Sequence, residues 1–388
     1  MRNFVIVAQG KPVVMQVLLA IHSFADANCM VVCTKGTRIL RFSSLCSGYM
    51  EVNFYGEDDK LFVDSINRLA QTMPGLVLIP ADCPGTRMVN RVRDRLNVAV
   101  VPTPDTAMLD QLEDKWCFYQ FCKSHGLSVP RTRYIGAKHE LDFDSTVREL
   151  GTPFVVKPVN EQGSDGVRVV SSEFDYNEKI RNHSNYRYGP LIAQQYIRGT
   201  DVGLNLLSLH GKVAAIAIQQ PVDQDRVGSR IMFFPNDYLQ SVAYSLCKAI
   251  GYHGVMNVDA RVEDGTGKVY LFESNPRFWR TLLASVWCGL NFVKESVEAS
   301  PHSGKVRMLT SGVADTYYHP LFRASLWPYA ISNSGHRGRM MRRMMGDVSM
   351  LVASAKALFL MGLGHRSQLT VASAPPEKYG GLVEGEAR

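Results

Sequence analysis

Short apolar runs alternate with amphipathic segments over the first hundred residues. Four runs rich in Val, Ile and Leu have the length of buried strands and occupy residues 3–8, 29–34, 75–80 and 97–102. Residues 12–24 and 61–72 carry apolar positions at helical spacing between them. Strands separated by helices are typical of a parallel sheet with both faces covered. The pattern predicts an N-terminal α/β domain, which we assign to residues 1–104.

The middle of the chain changes to helices and antiparallel hairpins. A helix is predicted after Asp105, and Lys115 lies off its apolar stripe, as an ordinary solvated lysine would. Residues 152–172 predict a hairpin with the polar tip NEQGSDG, which alone is also the pattern of a plain surface turn. Lys157, however, lies within the apolar part of this hairpin, where its ammonium group needs a partner such as a phosphate.

A second hairpin pairs MNVDARV with KVYLFESN around the turn EDGTG. If Glu263 faces Val269, then Asp259 faces Glu273 and Asn257 faces Asn275. These four side chains share one face, because residues two apart on a strand point the same way. Two facing carboxylates repel each other unless a divalent cation lies between them, and oxygen ligands fit magnesium.

Composition and length restrict the class of protein. The chain has 388 residues with 46% hydrophobic content, enough for about two or three domains with substantial cores. The N-terminal apolar run is too short for a signal peptide, and no later segment has about 18 uninterrupted apolar residues. We therefore expect a cytoplasmic enzyme.

Charge and cysteine content exclude two further classes. The net charge of +7 is concentrated in residues 301–388, which hold eleven Lys and Arg against five Asp and Glu. The body of the protein is close to neutral, which argues against nucleic-acid binding. The eight cysteines show no paired C-x-x-C spacing, so we expect reduced, mostly buried thiols instead of a zinc site or disulfides.

Five features in order resemble the ATP-grasp superfamily: Lys115, Lys157 before a glycine-containing loop, AQQYIRGTD, MNVDARV and FESNPRF. The chain is similar to carboxylate–amine ligases over about residues 1–295, and its closing hairpin is most similar to that of carbamoyl phosphate synthetase. The resemblance implies an α/β fold: a Rossmann-like pre-ATP-grasp domain, a two-lobed α+β ATP-grasp domain and a C-terminal helical extension. The small lobe is placed at 105–190, the large lobe at 191–300 and the extension at 301–388.

The resemblance also implies a role for each matching residue. ATP and Mg²⁺, with Mn²⁺ as a substitute, are the implied cofactors. The nucleotide would be bound by Lys115, Lys157, the flap residues Gln162, Gly163, Ser164, Gly166 and Val167, the hinge residues Gln194, Gln195 and Ile197, and Asp201 at the ribose. The implied metal ligands are Asp259, Glu273 and Asn275, with Arg277 and Arg280 as catalytic residues.

This chain departs from the family pattern at the hinge and on one strand. Gln194 and Asp201 stand where the family commonly has glutamate, and both keep an oxygen acceptor. Asn257 matches carbamoyl phosphate synthetase and differs from the arginine of D-alanine ligases. Arg230 lies where related ligases place a substrate loop, so it is a candidate for binding a substrate carboxylate. The alternative is a solvent-exposed loop arginine.

The C-terminal region combines four arginines with four methionines over residues 337–345. A basic helix with a methionine face could dock on an anionic membrane surface or a partner enzyme through residues 337–363. The alternative is an ordinary helix packed on the rest of the chain. Residues 372–388 are rich in Pro, Gly and charge, as in a mobile tail.

The implied activity is that of an ADP-forming ligase. It would convert a small carboxylic acid into an acyl phosphate and join it to an amine. A small-molecule kinase and a nucleotide-binding regulatory protein without turnover are the alternatives. The complete set of Lys157, Asp259, Glu273 and Asn275 argues against a silent binder, and Arg277 beside them favours ligation over simple phosphorylation.

Overall fold

The structure is a computed structural model with three β-sheets. It describes residues 1–161, 163, 165–222, 230–299, 305–315, 320–322, 324–332, 335–352 and 355. Short 3₁₀ turns lie at Lys35–Phe42, Arg93–Arg95, Lys138–Glu140, Pro320–Phe322 and Ala324–Leu326. No helix in these ranges is both long and apolar enough to span a bilayer.

The N-terminal domain has the predicted parallel sheet. Its elements are β1 (Arg2–Val7), α1 (Lys11–Phe24), β2 (Ala27–Cys33), β3 (Gly48–Glu51), α2 (Asp59–Thr72), β4 (Val77–Pro80), α3 (Cys83–Val92) and β5 (Ala99–Val100). The strand order is β3-β2-β1-β4-β5, and all neighbours are parallel. Two elements were not predicted. β3 has no apolar run, and α3 has Pro84 as its second residue, a position in the first helical turn where proline is tolerated.

A four-stranded antiparallel sheet forms the small lobe. The segment contains α4 (Thr106–Glu113), α5 (Lys115–Ser124), β6 (Thr132–Ile135), α6 (Phe143–Leu150), β7 (Phe154–Pro158), β8 (Arg168–Val170), α7 (Glu173–Tyr176), a π-helical turn (Asn177–Arg181) and β9 (Leu191–Gln195). The sheet order is β6-β9-β7-β8. The pairing of β7 with β8 confirms the first predicted hairpin. The sheet continues past residue 190, to Gln195.

The single helix predicted after Asp105 is divided in two. The break is at Asp114, whose carboxylate accepts hydrogen bonds from the backbone N–H groups of Trp116 and Cys117. An aspartate in this position caps a new helix. Lys115 thus becomes the first residue of α5, and its own N–H donates to the carbonyl of Val159.

The large lobe is built on a seven-stranded sheet. Its elements are β10 (Gly199–Leu209), β11 (Lys212–Pro221), β12 (Arg230–Phe233), α8 (Asp237–Ile250), β13 (Gly254–Glu263), β14 (Val269–Asn275), α9 (Leu282–Trp287), α10 (Phe292–Val297), β15 (Arg307–Leu309) and β16 (Gly312–Asp315). The strand order is β14-β13-β10-β11-β12-β16, and β15 pairs with β11. The last two strands extend the sheet with residues from beyond position 300.

The two faces of the large sheet meet different surroundings. Leu204 and Val258 point to one face and pack with Leu246 of α8. Leu207 and Val255 point to the other face, where they share a core with α1 of the N-terminal domain. The remaining half of this second face is open toward the small lobe. All eight cysteines are free thiols and five are buried, as expected.

The C-terminal helices pack on the rest of the chain. α11 (Trp327–Ile331) precedes α12 (Gly335–Met345), and Met340, Met341 and Met344 of α12 are buried in the core that contains α1. Arg339 donates to the carbonyl of Ser23 at 2.8 Å. The methionine face is therefore covered by the protein itself, not free for a membrane. Residues 353, 354 and 356–363 of the proposed docking segment lie outside the described residues.

Candidate active site

A cleft of about 620 Å³ lies between the small-lobe sheet and the open half of the large sheet. Seven of the residues predicted from the sequence line it: Lys115, Lys157, Val167, Gln194, Asp201, Asp259 and Glu273. They come from both lobes, on α5, β7, β9, β10, β13 and β14 and in the loop before β8. Folding thus brings together residues that are up to 158 positions apart in the chain.

The strand pairing of the hairpin formed by β13 and β14 agrees with the sequence prediction at the end that carries the two carboxylates. Asp259 pairs with Glu273, and Asn257 pairs with Asn275. The predicted pairing at the turn is wrong, because Val269 faces Val262 instead of Glu263. A register shift follows Asp259 and adds one residue, Phe272, on the opposite strand. This β-bulge restores the predicted partners.

The bulge also changes which side chains reach the cleft. Successive residues of a regular strand point to opposite faces, so Phe272 and Glu273 would be on different sides. In the structure both line the cleft. A bulge is the usual device that turns one additional side chain toward a site.

Lys115 is buried, which contradicts the solvated-lysine alternative. Only 6% of the residue is exposed. Its Nζ donates to the carbonyl of Glu161 at 2.6 Å and lies 3.4 Å from Oε2 of Glu273. Lys115 therefore connects the loop before β8 with the carboxylate on β14.

Lys157 has the less satisfied ammonium group. It is as buried as Lys115, and its Nζ lies 5.3 Å from the centre of the Phe272 ring. Within the described part of the chain it has no hydrogen bond or ion pair. Burial lowers the pKa of Lys157 to about 8, although the Glu273 carboxylate partly offsets this shift. A buried ammonium group with no direct ion pair is suited to binding an anionic ligand, because the ligand would supply the missing negative charge.

The two facing carboxylates differ in protonation. Burial raises the pKa of Asp259, and the neighbouring charge of Glu273 raises it further. Burial would also raise the pKa of Glu273, but Lys115 and Lys157 together hold it below the ordinary value. Glu273 is therefore the ionised member of the pair, and Asp259 retains a proton more readily.

The donor set fits magnesium. Among the described residues, no three His, Cys, Asp or Glu side chains form a metal cluster, so the arrangement does not suit zinc. Two carboxylates and a carboxamide instead match magnesium, which uses one or two protein carboxylates together with phosphates. A divalent cation between the two carboxylates would offset the burial and charge repulsion that raise the pKa of Asp259.

Asn275 and the two arginines lie at the inner end of this hairpin. The Asn275 amide donates to Asp259 and to Asn257, both at 3.2 Å. Its oxygen accepts from Arg277 at 2.9 Å, and Arg277 also donates to the carbonyl of Phe278. Arg277 is thus adjacent to the carboxylates. Arg280 is exposed, and neither arginine is among the described residues that line the cleft.

The predicted hinge residues lie along β9 and the segment after it. Gln194 is buried, lines the cleft and donates to the hydroxyl of Thr132 at 2.9 Å. Gln195 accepts from Arg131, and Ile197 is buried. Tyr196, which lies between Gln195 and Ile197, also lines the cleft, although no sequence pattern pointed to it.

Arg261 is the main residue that sequence reasoning missed. It forms an ion pair with Asp201 at 2.6 Å and donates to the carbonyl of Ile197 at 2.9 Å. Its guanidinium lies 5.8 Å from the Tyr196 ring and 5.6 Å from the Phe272 ring. Strand alternation could have identified it, because Arg261 is two residues from Asp259 and shares its face.

The loop of the first hairpin approaches the lysine end of the cleft. Gly163 and Gly166 both have positive φ angles, +67° and +71°. A side chain at Gly166 would collide with Pro158 and Tyr188, whereas the space around Gly163 is open. Val167 lines the cleft. Gln162 and Ser164 lie outside the described residues.

Arg230 is the first residue of β12 and is exposed. Its backbone pairs with that of Asp315 on β16. It is not among the described residues that line the cleft, and the loop 223–229 before it lies outside the description. The geometry therefore gives no support to a role in binding substrate.

The fold consists of a two-lobed domain, with a cleft between its lobes, behind a parallel α/β domain. The family model for the ATP-grasp domain matches residues 112–281. This region contains both lysines, the hinge and the carboxylate hairpin. Residues 112–281 therefore form an ATP-grasp domain, as the resemblance implied.

Curated relatives match part of the chain. It is 24% identical over 184 residues to the arginine-specific carbamoyl phosphate synthase large chain of Bacillus subtilis, covering 45% of this chain and 17% of that one. It is 25% identical over 255 residues to the carbamoyl phosphate synthase large chain of Clostridium acetobutylicum, covering 62% of this chain and 23% of that one. The chain thus spans less than a quarter of either relative.

Solved structures share the fold over most of the chain. N5-carboxyaminoimidazole synthetase from Staphylococcus aureus, complexed with ADP, has a TM-score of 0.59 at 16% identity and covers 81% of this chain and 80% of its own. The L-amino acid ligase from Bacillus licheniformis has a TM-score of 0.55 at 16% identity, with 77% and 74% covered. These likenesses extend to the N-terminal α/β domain.

Proposed function

We propose that the protein is an ADP-forming ligase that activates a small carboxylic acid as an acyl phosphate and joins it to an amine. One observation carries the proposal: two buried lysines face two paired carboxylates across the cleft between the lobes. Such a concentration of opposite charges in a water-poor cleft suits the terminal phosphates of a nucleotide with its metal ion.

The two ends of the cleft would bind different parts of ATP. Val155 and Val169 of the small lobe offer apolar contact for the base, beside Gln194 at the hinge. Asp201 would meet the ribose hydroxyls. Lys115 and Lys157 would hold the phosphates, and the glycine-containing loop would cover them with backbone N–H groups.

Magnesium would be held by Asp259, Glu273 and Asn275, and when bound it neutralises charge on the phosphates. The Asp259 side chain would give up its proton on binding the ion. Lys115, which already contacts Glu273, would keep that carboxylate ionised and oriented. Holding these groups in place is the main contribution a protein makes to phosphoryl transfer.

The reaction would proceed in two balanced steps. A carboxylate oxygen of the acid attacks the γ-phosphorus of ATP, and ADP leaves. The amine nitrogen then attacks the acyl carbon, a C–N bond forms, the C–O bond to phosphate breaks, and the amine loses a proton. Arg277, next to the carboxylate hairpin, would stabilise the oxyanion that develops in the second step.

The names of the similar proteins support this reaction class. Among the solved structures, one is a synthetase complexed with ADP and another is an amino acid ligase. The curated relatives are carbamoyl phosphate synthase chains. Their names agree with ligation in preference to a kinase or a silent nucleotide-binding protein.

A substrate screen tests the proposal. Panels of carboxylates and amines are incubated with the protein, ATP and MgCl₂, ADP release is measured, and products are identified by mass. We expect release that requires the acid and increases with the amine, and an acyl hydroxamate when hydroxylamine replaces the amine. AMP and pyrophosphate as products, or a phosphorylated product without ligation, would refute the assignment.

A further inference from the structure

On the open face of the large sheet, residues aligned across neighbouring strands form rows, and each row has a different chemical character. Strand pairing aligns Asp201 with Arg261 at the outer end. The next row, across four strands, consists of Gln219, Gly203, Asp259 and Glu273. The row behind it contains the carboxamides Asn205, Asn257 and Asn275. Leu207 and Val255 follow and belong to the core shared with the N-terminal domain. Neutral amides thus lie between the carboxylates and the apolar core.

Two buried polar atoms in this amide region have no hydrogen-bond partner in the described structure: Oε1 of Gln219 and Nδ2 of Asn205. Gln219 is 8% exposed and lines the cleft, and its Nε2 donates to the hydroxyl of Thr281 at 2.8 Å. Asn205 is fully buried, and its oxygen accepts from Asn257 at 3.1 Å. Each orphan atom costs about 1–3 kcal/mol relative to a satisfied one.

The absence of a side chain at Gly203 creates space between these amides. A Cβ built there would lie 3.2 Å from Cγ of Gln219 and 3.4 Å from the amide nitrogens of both Gln219 and Asn257. The φ angle of Gly203 is not in the left-handed region, so the backbone does not require glycine. Gly203 therefore leaves the wall of the cleft without a side chain beside Asp259, and a methyl group there would crowd the side chain of Gln219.

The orphan atom of Gln219 specifies the chemistry of a group that would satisfy it. Gln219 offers a carbonyl, which requires an N–H or O–H donor. Asn205 is fully buried and is not among the described residues that line the cleft, so its N–H is not offered to a ligand. A carboxylate group at Gln219 would leave that carbonyl unsatisfied and would lie close to Asp259 and Glu273, which disfavour another negative charge. A primary amine supplies the N–H donor that Gln219 requires and avoids this repulsion.

We infer that Gly203 and Gln219, which both line the cleft, form the subsite for the amine substrate, which is a primary amine. This inference rests on the proposed ligase function. The neutral carbonyl of Gln219 accepts one N–H of the amine and leaves the nitrogen lone pair free for attack.

Kinetics with Gln219→Leu test the subsite, using the acid found in the screen and four amine probes: ethanolamine, glycinamide, glycine and ethylamine. We expect the KM for the preferred amine to rise at least tenfold, while the KM for ATP and the yield of hydroxamate at high hydroxylamine stay within twofold.

Two further variants separate the subsite from general effects on folding. Gly203→Ala keeps every polar atom but crowds the side chain of Gln219, so it should also raise the amine KM. Gln240→Leu makes the same substitution as Gln219→Leu on α8, outside the cleft lining, and should match the wild type. The unliganded Gln219→Leu protein should melt at the same temperature as the wild type or higher, because a buried unpaired acceptor is removed.

The outcomes distinguish this inference from the ligase proposal. An unchanged amine KM in both Gln219→Leu and Gly203→Ala would show that the orphan atoms hold only a water molecule and would overturn the subsite. If the wild type forms no ADP with any acid, the ligase proposal fails. The subsite is then decided by melting temperature with the same four probes, a nonhydrolysable ATP analogue and MgCl₂. A rise in the wild type that Gln219→Leu loses supports it, and no rise overturns it.

Discussion

Single charged groups in the cleft are held in states that ordinary lysines and aspartates do not adopt. Lys157 has a lowered pKa because it is buried without a direct counter-ion, and Asp259 has a raised pKa because it is buried opposite Glu273. The sequence predicted both positions from charges within apolar strands. It could not predict that Lys115 and Lys157 favour ionisation of Glu273 over Asp259, because this depends on contacts made across the cleft.

The protonation of Lys157 predicts a pH dependence of nucleotide capture. Its pKa of about 8 means that the ammonium is charged below this pH and neutral above it. We expect kcat/KM for ATP, which reports the free enzyme, to fall as pH rises through about 8. Lys157→Arg should remove this alkaline limb, because arginine stays charged. Lys157→Ala should lower kcat/KM about 10²- to 10³-fold at neutral pH. A wild-type profile that is flat from pH 7 to 9.5 would contradict the assignment.

Asp259→Asn should make the unliganded protein more stable at alkaline pH. The folded-state pKa of Asp259 lies above its unfolded value, so the wild type loses stability as pH rises through the folded pKa. Asparagine cannot ionise and avoids this loss, which is up to about 4 kcal/mol for a rise from 3.8 to about 7, since one pKa unit corresponds to about 1.4 kcal/mol. Melting temperatures without nucleotide or Mg²⁺ should favour the variant at pH 8 and converge near pH 4. A variant less stable than the wild type at pH 8 would refute this reading.

At the scale of elements, the closing hairpin shows which part of a strand pairing the sequence determines. The partners Asp259 and Glu273 were predicted from a pairing of Glu263 with Val269, which is wrong by one residue, and the bulge offsets that error. The bulge at Phe272 was not predicted. β14 is an edge strand, and the N–H of Leu271 donates to the carbonyl of Ser128, more than 140 residues away. A contact between residues so far apart cannot be predicted from the local sequence pattern of the hairpin.

The loop between β7 and β8 predicts a contrast between two glycines. Gly166→Ala and Gly163→Ala both place a side chain at positive φ, but only the Gly166 methyl would collide with its neighbours, at 2.6 Å from Cγ of Pro158. Gly166→Ala should displace the loop and raise the KM for ATP about tenfold or more, as loss of about 1.4 kcal/mol of binding would. Gly163→Ala is the matched control and should have the smaller effect. Equal ATP saturation curves for the two variants would show that this loop does not cover the nucleotide.

At the scale of the whole molecule, one core joins regions that are far apart in sequence. Residues of α1, the inner half of the large sheet, α9 and α12 belong to the same buried cluster. The sequence predicted the order of the domains, because each has its own periodicity. It left the position of the Met-rich helix open, since methionines with arginines suit a membrane surface as well as a protein surface. For the described part of α12, the buried methionines pack in one core with apolar residues of α1, so this helix lies on the protein itself.

Packing of α12 predicts a difference between two adjacent methionines. Met344 is 6% exposed within this core, whereas Met345 is 40% exposed. Met344→Glu should destabilise the protein by about 3 kcal/mol or more, because it buries a charge without a partner. Met345→Glu should cost about 0.5 kcal/mol or less, as a surface substitution. Chemical denaturation measures both. Equal stability of the two variants would mean that α12 does not pack on the domain in solution.

Transfer of oxygen from the acid to phosphate tests the central claim most directly. If the acid is activated as an acyl phosphate, a substrate carboxylate labelled with ¹⁸O must give one labelled oxygen to the phosphate released on ligation. Using the best acid and amine from the screen, ³¹P NMR should show ADP and inorganic phosphate carrying one ¹⁸O atom per turnover. AMP with pyrophosphate, or inorganic phosphate without label, would contradict the proposed function.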